Sequence, residues 1–455
     1  MRGGELLWVG CGAGFSGDRV DAIAPVVDTL AKRPGRRVLI LETLAERTLA
    51  LAQLARREDP AKGYEPLLPS MLRPVLGRCL HHGIRIVGNF GAANPLAAAR
   101  EIDRMARELG LRAPRIAVLR GDDMMAHPDV MGPPDECAWQ SAGASAPSGA
   151  LVSANAYLGA EQIAHALADG ADIVVTGRVA DPSLTVGPAM AHYGWSPDDW
   201  PRLGAATMAG HLLECGAQVT GGYFADPGFK HVPALHDVGF PIACIDAGGH
   251  CVIGKADGTG GIVDTRTVKE QLLYELHDPG AYLTPDVTAD ITQAGVAQVG
   301  ENQVALSGVQ GHPRPDTLKV SAFYEGGWLA EGGISYAGPR AEARARLAAD
   351  VLRARIGEGE PLRFDLIGVC SVFADDGGKM LGSIPDGGAR DVRLRVAGKF
   401  RELESAERLA REVNALYTCG PAGGGGVRTA IRRRLETRSF YVDRARVDAS
   451  YFIFQ

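Results

Sequence analysis

A glycine-rich segment near the amino end carries the clearest chemical signal in the sequence. Gly12, Gly14 and Gly17 fit the spacing G-x-G-x-x-G directly after the apolar run Leu6–Val9 and before a helix expected to start near residue 19. Glycines at this spacing let backbone N–H groups approach a phosphate or carboxylate at the start of a helix. We therefore predict an anion-binding loop. Its binding residues are Gly12, Gly14, Ser16 and Gly17.

Glu42 ends the second apolar run, where a dinucleotide-binding fold places an acid that holds the ribose. It lies further from Gly12 than the roughly 20 residues of that pattern. Thr43 and Glu46 also fit a capping box that opens a helix, so Glu42 reads equally well as a helix-entry carboxylate. NAD(P) is accordingly the less favoured interpretation, and no cofactor is predicted with certainty.

Polar residues follow two further apolar runs. Arg178 follows the run 172–176 and could hold a carboxylate, and Asp181 could bind ligand, pair with Arg178 or cap the next helix. Asn89 stands where the third run ends, and we predict that it contacts ligand. Asn94 before Pro95 is explained fully as the start of a helix.

A polar stripe later in the chain could move protons. His211, Glu214 and Gln218 fall at i, i+3 and i+7 of a predicted helix, which places them on one face among small apolar neighbours. A solvated helix face is the competing interpretation. Lys255 precedes the turn 258–261 and could meet an anion there, or could be an ordinary surface lysine.

Several classes of protein are disfavoured. The 48 basic and 54 acidic side chains give a net charge of −6, and the cluster Arg428, Arg432, Arg433 and Arg434 reads as a solvated helix face, so nucleic-acid binding is not expected. No H-x-x-H or G-x-S-x-G spacing occurs, so neither a metal site nor a serine hydrolase is predicted. No apolar run is long enough to span a membrane. The eight cysteines form no C-x-x-C pair and no export signal precedes them, which predicts reduced thiols and a cytoplasmic protein.

The elements that must position these residues alternate between apolar runs and helical segments. Five runs, at residues 6–9, 38–41, 84–87, 116–119 and 172–176, are separated by helical stretches. This pattern predicts an α/β fold with a largely parallel sheet and helices on both faces, whose ligands bind at the carboxyl ends of the strands. The predicted domains are 1–204, which binds the anion, a glycine-rich mixed α/β region at 205–356, and a small α+β domain at 362–455.

The motifs together resemble the acyclic terpene utilisation (AtuA) family. The matching segments span nearly the whole chain and are residues 12–19, 171–182, 211–222, 258–261, 267–275, 284–287 and 420–426. The resemblance implies a bacterial catabolic protein associated with branched, isoprenoid-type acids as acyl-CoA thioesters, and it carries over no catalytic residues. Cys244 departs from the family, where an acidic residue is expected.

The leading hypothesis is an enzyme of hydratase or lyase type acting on a branched acyl-CoA or a related carboxylate. The glycine loop would take the anionic group, Arg178 would hold the acyl end, and His211 or Glu214 would move a proton. The alternatives are an NAD(P)-dependent oxidoreductase and a non-catalytic acyl-CoA-binding subunit. The expected partner is a small anionic substrate, and both a homo-oligomer and a partner subunit stay open.

Overall fold

A computed structural model describes residues 5–126, 149–357, 362–375 and 377–455. The helices of this part of the chain are α1 (Ile23–Ala31), α2 (Glu46–Glu58), α3 (Leu68–Leu72), α4 (Leu76–His82), α5 (Pro95–Glu108), α6 (Glu161–Ala168), α7 (Ser183–Tyr193), α8 (Trp200–Glu214), α9 (Thr265–Leu273), α10 (Ala341–Ile356), α11 (Lys379–Ser383) and α12 (Leu403–Cys419). The strands are β1 (Leu7–Cys11), β2 (Arg36–Leu41), β3 (Arg85–Gly88), β4 (Ile116–Arg120), β5 (Leu151–Ala156), β6 (Ile173–Val175), β7 (Pro241–Ile245), β8 (Cys251–Lys255), β9 (Tyr282–Leu283), β10 (Thr288–Asp290), β11 (Gly295–Gly300), β12 (Gln303–Ser307), β13 (Gln310–His312), β14 (Thr317–Ala337), β15 (Leu362–Ile367), β16 (Asp391–Phe400), β17 (Gly425–Asp443) and β18 (Ser450–Phe454).

The described residues form two compact units. The first contains those up to 126 together with 152–322 and 438–455, and the second contains the remainder of the range 149–437. The sequence-based division of the chain at residues 204 and 356 stays a prediction.

The first unit is built on a ten-stranded sheet with the order β11-β12-β8-β7-β1-β2-β3-β6-β4-β18. The five central strands β1, β2, β3, β6 and β4 are parallel to one another. The pairs β1–β7, β7–β8, β8–β12, β11–β12 and β4–β18 are antiparallel. The prediction of a largely parallel sheet is therefore wrong in extent, because only four of these nine pairs are parallel.

Helices cover both faces of the parallel part, as predicted. Leu39 and Leu41 of β2 lie in one apolar core with residues of α1, α3, α4 and α5. Val38, which points the other way because side chains alternate along a strand, lies beside residues of α6 and α7. Strands buried on both faces read as continuous apolar runs, which is why the sequence revealed them.

A tight turn explains why β8 pairs antiparallel with β7. The Asp246 carboxylate accepts hydrogen bonds from the backbone N–H groups of Gly248 and His250, at 2.9 and 3.1 Å. Such an Asx turn reverses the chain within a few residues, so β8 returns alongside β7 as a hairpin.

The second unit has its own core. The strand order β15-β16-β14-β17 forms its sheet, in which the pairs β15–β16 and β14–β16 are antiparallel. Helices α10 and α12 pack on β16, with Ala345, Ala348 and Leu352 of α10 fully buried. Small alanines allow a helix to lie close to a sheet. The sequence predicts helices at 339–356, where Ala, Leu and Arg recur at helical spacing, and at 404–416, and the structure confirms both.

Four local predictions have clear outcomes. Asn94 caps α5, since its side chain accepts a hydrogen bond from Ala97 N, as predicted. The first helix begins at Ile23 instead of near residue 19. Ala45 caps α2 without a side-chain bond, so the capping box predicted for Thr43 and Glu46 does not form. The arginine cluster at 428–434 lies on strand β17, so its assignment to a helix face is wrong.

Two further predictions, on membrane spans and on cysteines, can be compared with the described residues. No helix within the described ranges has the length and apolar character needed to cross a membrane. Seven cysteines are described and all are free thiols, whereas Cys137 lies outside the described residues.

Candidate functional site

A buried polar cluster lies where the parallel strands end. Glu42 follows β2, Asn89 follows β3, Asp122 follows β4, and Arg178 follows β6, and each of these residues is at most 7% exposed. The carboxyl ends of parallel strands meet at one edge of a sheet, which is where open α/β sheets bind ligands. The sequence-based placement of Asn89 and Arg178 at this edge is confirmed.

Glu42 and Asn89 hold each other. The Asn89 amide donates to Glu42 Oε1 at 2.9 Å, and Thr43 N donates to Asn89 Oδ1 at 2.7 Å. Leu44 N donates to the same Glu42 oxygen at 2.7 Å. Burial, with the negative charge of Asp181, raises the pKa of Glu42 to about 8. At neutral pH this carboxyl group therefore carries a proton.

Arg178 is 1% exposed and bonded to protein groups through all three guanidinium nitrogens. Its Nε donates to Val179 O at 2.8 Å, its Nη1 to Leu44 O, and its Nη2 to the Asp181 carboxylate. Its backbone N–H donates to Asp122 at 2.9 Å. Arg178 thus fixes the positions of neighbouring loops, and its guanidinium does not face solvent.

The adjacent carboxylates Asp122 and Asp123, which follow β4, make separate contacts. Asp122 accepts hydrogen bonds from Arg178 N and from Asn155 Nδ2, both at 2.9 Å, while 44% of the Asp123 side chain is exposed. Burial raises the pKa of Asp122 to about 6. The two carboxylates therefore do not share a cation site in this structure.

Three residues that the sequence analysis missed stand beside Arg178. The Tyr157 hydroxyl donates to Glu46 Oε1 at 2.5 Å, and Lys319 Nζ donates to the same oxygen at 3.2 Å. Burial alone would raise the pKa of Glu46, but the Tyr157 bond and the Lys319 charge lower it to about 2. The Arg178 guanidinium lies 4.5 Å from the Tyr157 ring centroid, so two cations and one ionised carboxylate surround the phenol.

A cleft of about 870 Å³ opens over this group. Its walls contain Tyr157, Asp181, Lys319, Glu275 and Tyr282, together with apolar side chains. This volume lies within the range of small-molecule sites in proteins. About a third of the Asp181 side chain, 34%, is exposed, and burial raises the pKa of its carboxyl group despite the attraction of Arg178.

His211 and Glu214 form a buried pair at the end of α8, next to this cleft. His211 Nδ1 lies 2.8 Å from Glu214 Oε1, and the His211 ring centroid lies 5.3 Å from that of Tyr282, which lines the cleft. Burial raises the pKa of Glu214 to about 7. Burial opposes protonation of His211, but the charge and hydrogen bond of Glu214 raise the pKa of His211 above its usual value.

The remaining polar atoms of this pair have no partner. His211 Nε2, Glu214 Oε2 and Gln271 Oε1 are all buried and make no hydrogen bond within the described residues. Gln271 belongs with the pair because its Nε2 donates to His211 O at 3.1 Å. Each unsatisfied buried polar group costs about 1–3 kcal/mol. Such a concentration of unused donors and acceptors is typical of a functional site.

The comparison with protein-family models agrees with this sequence and structure. The family model described as acyclic terpene utilisation family protein AtuA matches residues 7–453. The chain belongs to the AtuA family. Neither the curated proteins nor the solved structures give a match.

In this AtuA-family protein, two glycines of the predicted anion-binding loop make contacts within the protein. Gly12 N donates to Ile40 O at 2.8 Å, and Gly14 N donates to the Asp18 carboxylate at 2.8 Å. A Cβ on Gly14 would lie 2.3 Å from the backbone nitrogen of Gly216, so close packing of two backbone segments requires glycine there. Anion binding by this loop stays a prediction, and two of its expected donors already bind protein groups.

These contacts also bear on the nicotinamide alternative. That hypothesis needed Gly14 to approach a pyrophosphate and Glu42 to hold a ribose. In the structure Gly14 faces the backbone of Cys215 and Gly216, and Glu42 accepts hydrogen bonds from Asn89 and Leu44. Both features that motivated the cofactor are thus explained by contacts within the protein.

The structure does not bring the other predicted site residues together in one place. Helix α8 ends at Glu214 and Gly216 has a φ of +54°, so Gln218 lies in a short 3-10 segment and the predicted three-residue helical stripe is wrong. Ser16 is half-buried. Lys255 ends β8 and lines different cavities from the cleft. No group of three metal-binding side chains occurs within the described part of the chain.

Proposed function

We propose that this AtuA-family protein is a catabolic enzyme that transfers a proton during hydratase or lyase chemistry on a branched-chain or isoprenoid acyl-CoA or a related carboxylate. Family membership supports a role in acyclic terpene utilisation. The observation that carries the proposed chemistry is the buried His211–Glu214 pair, whose Nε2 and Oε2 atoms have no partner within the described residues.

The pair suits proton transfer at neutral pH. Glu214 accepts at His211 Nδ1, which fixes the orientation of the ring and leaves Nε2 to exchange a proton. In hydration, Nε2 would take a proton from water as the water oxygen bonds to the β-carbon of an enoyl thioester and the electron pair of the double bond moves to the α-carbon. The same proton would then pass from Nε2 to the α-carbon. In the lyase reaction, Nε2 would take the proton of a β-hydroxyl group, so that the β-carbon becomes a carbonyl carbon as its bond to the α-carbon breaks. The electron pair would remain on the α-carbon as the thioester enolate, which would take the proton back from Nε2.

The cleft supplies groups for the acyl end of the substrate. Lys319 lines it, and its ammonium has donors beyond the one that Glu46 accepts, so it can donate to a thioester carbonyl or carboxylate oxygen. Tyr157 also lines the cleft, but its hydroxyl proton is donated to Glu46. Tyr282 belongs to the cleft wall, and its ring contacts the His211 imidazole. We propose that the Tyr282 side chain turns aside when substrate enters. Arg178 acts as a positioning residue, since its guanidinium binds Leu44, Val179 and Asp181.

The test uses purified protein with 3-methyl-branched enoyl-CoA and 3-hydroxy-3-methylacyl-CoA thioesters, with products followed by mass spectrometry. We expect turnover of at least one class, and His211→Gln should lower kcat by about 10²–10⁴-fold, the usual contribution of general acid–base catalysis. His165→Gln is the matched control, because His165 is exposed on α6. Full activity in His211→Gln would overturn the assignment, and saturable binding without turnover would favour a non-catalytic subunit.

A further inference from the structure

A second cavity lies on the main sheet, away from the cleft. Its volume is about 560 Å³, and its lining residues include none of those that line the cleft. Trp8, Cys244 and Val252 sit side by side on β1, β7 and β8, since Trp8 pairs with Cys244 and Cys244 pairs with Val252. Paired residues point to the same face of a sheet, so these side chains form one apolar floor.

One cation at the edge of this floor lacks an acidic partner. Lys255 Nζ donates to Thr259 O at 2.6 Å and lies 3.4 Å from Thr259 Oγ1. No carboxylate of the described residues forms a salt bridge with it. Arg33, which also lines the cavity, is by contrast paired with Asp257 at 2.9 Å. Lys255 therefore hydrogen-bonds only to neutral oxygens, while the carboxylates of Asp257, Asp237 and Glu301 act on its charge from beyond salt-bridge distance.

Lys255 is half-buried and keeps a donor that Thr259 does not use. Burial lowers the pKa of Lys255, because a partly desolvated ammonium loses hydration. An ammonium has three donors and Thr259 offers two acceptors, so a bonding direction remains for an anion. The adjoining cavity of about 780 Å³ also contains Lys255 in its wall, so the ammonium can be approached from two sides.

An apolar floor with one unpaired ammonium at its edge matches a ligand with an apolar chain and a single negative charge. We propose that this groove binds a small amphiphilic monocarboxylate, with its carboxylate on Lys255 Nζ and its hydrocarbon chain over Trp8, Cys244 and Val252. A polyanion fits less well, because Asp257 and Glu301 also line the groove and would repel additional negative charge. The site goes beyond the proposed reaction, which uses a different cavity.

The probe is decanoate, with binding to the full chain measured by isothermal titration calorimetry. We expect saturable binding that Lys255→Met weakens by at least tenfold and Lys255→Arg largely retains. 1-Decanol, which has the chain without the carboxylate, should bind at least tenfold more weakly than decanoate. Lys319→Met is the matched control, because it removes a lysine from the cleft and leaves the groove unchanged.

A second variant tests the chain-binding floor independently of charge. Val252→Phe adds bulk on the floor and should weaken decanoate binding while the urea midpoint of unfolding stays within error of the wild type. The proposal is overturned if decanoate shows no saturable binding, if Lys255→Met and Val252→Phe bind it as tightly as the wild type, or if only Lys319→Met weakens it. The last result would place the carboxylate in the cleft, and enzyme turnover does not enter any of these measurements.

Discussion

Glu42 allows the electrostatics of the candidate site to be tested without a substrate. Its carboxyl group is buried, and the two hydrogen bonds it accepts, from Leu44 N and Asn89 Nδ2, both end on Oε1. A glutamine retains that oxygen. The substitution Glu42→Gln therefore removes the titrating group while both bonds can persist. Burial, with the charge of Asp181, raises the pKa of the native carboxyl group to about 8.

The sign of the pH effect follows from this shift. An unfolded glutamate titrates near 4.5, so between about pH 5 and pH 8 the folded protein holds a proton that the unfolded chain has released. The free energy of unfolding of the wild type therefore falls as pH rises through this window, by up to about 1.4 kcal/mol per pH unit. Relaxation around the buried charge reduces the total. We expect Glu42→Gln to gain about 2–4 kcal/mol relative to the wild type between pH 5 and pH 8.

Urea unfolding followed by far-ultraviolet circular dichroism at pH 5, 6, 7 and 8 measures this difference. Glu108→Gln serves as the control, because Glu108 is exposed and the hydrogen bond from Arg73 lowers the pKa of its carboxyl group. That variant should show no gain on going from pH 5 to pH 8. If the difference between Glu42→Gln and the wild type stays constant over this range, the carboxyl group is ionised in the folded protein and the reasoning is refuted.

Three further predictions concern packing, substrate binding and catalysis. Gly14→Ala should lower the free energy of unfolding by about 2–4 kcal/mol, because its Cβ would meet backbone atoms on the other segment; Gly382→Ala, with open space at its Cβ, should cause no loss in the same urea titration. Lys319→Met should raise KM for the acyl-CoA at least tenfold while kcat changes by less than threefold, and equal losses in both would contradict a binding role. Glu214→Gln removes the charge that raises the pKa of His211, so the acid limb of the kcat/KM profile should move to lower pH, and an unmoved limb would exclude the coupling.

The parallel half of the sheet could be predicted because its signals are local. Strands buried on both faces give unbroken apolar runs, and Asn94 with Pro95 marks a helix start within two residues. The antiparallel additions could not be predicted, since the pairing of β7 with β1 and of β18 with β4 joins segments far apart in the chain. Nothing in a single sequence states which strand will be the neighbour.

The residues of the candidate site also fall into two groups, those that a local sequence pattern predicts and those that only the folded chain brings together. His211 and Glu214 were found because a spacing of three residues on a helix is a local pattern. Gln218 was added wrongly, because the left-handed backbone at Gly216 ends the helical register. The contact of Tyr157, Glu46 and Lys319 brings together three distant segments, and Gly14 is constrained by a backbone that follows it by about 200 residues. These relationships exist only in the folded chain.

The carboxyl groups at this edge of the sheet share a shift to higher pKa. Glu42, Asp122, Asp181 and Glu214 all have raised pKa values, and burial is the first cause in each case. Arg178 is the fully buried cation at this edge, so ionising every carboxyl group together would leave excess negative charge in a low-dielectric region. Among them, Glu42 and Glu214 have pKa values of about 8 and 7, so these two hold protons near neutral pH. An anionic substrate is repelled less when these carboxyl groups are protonated, and its binding should accordingly be linked to proton uptake.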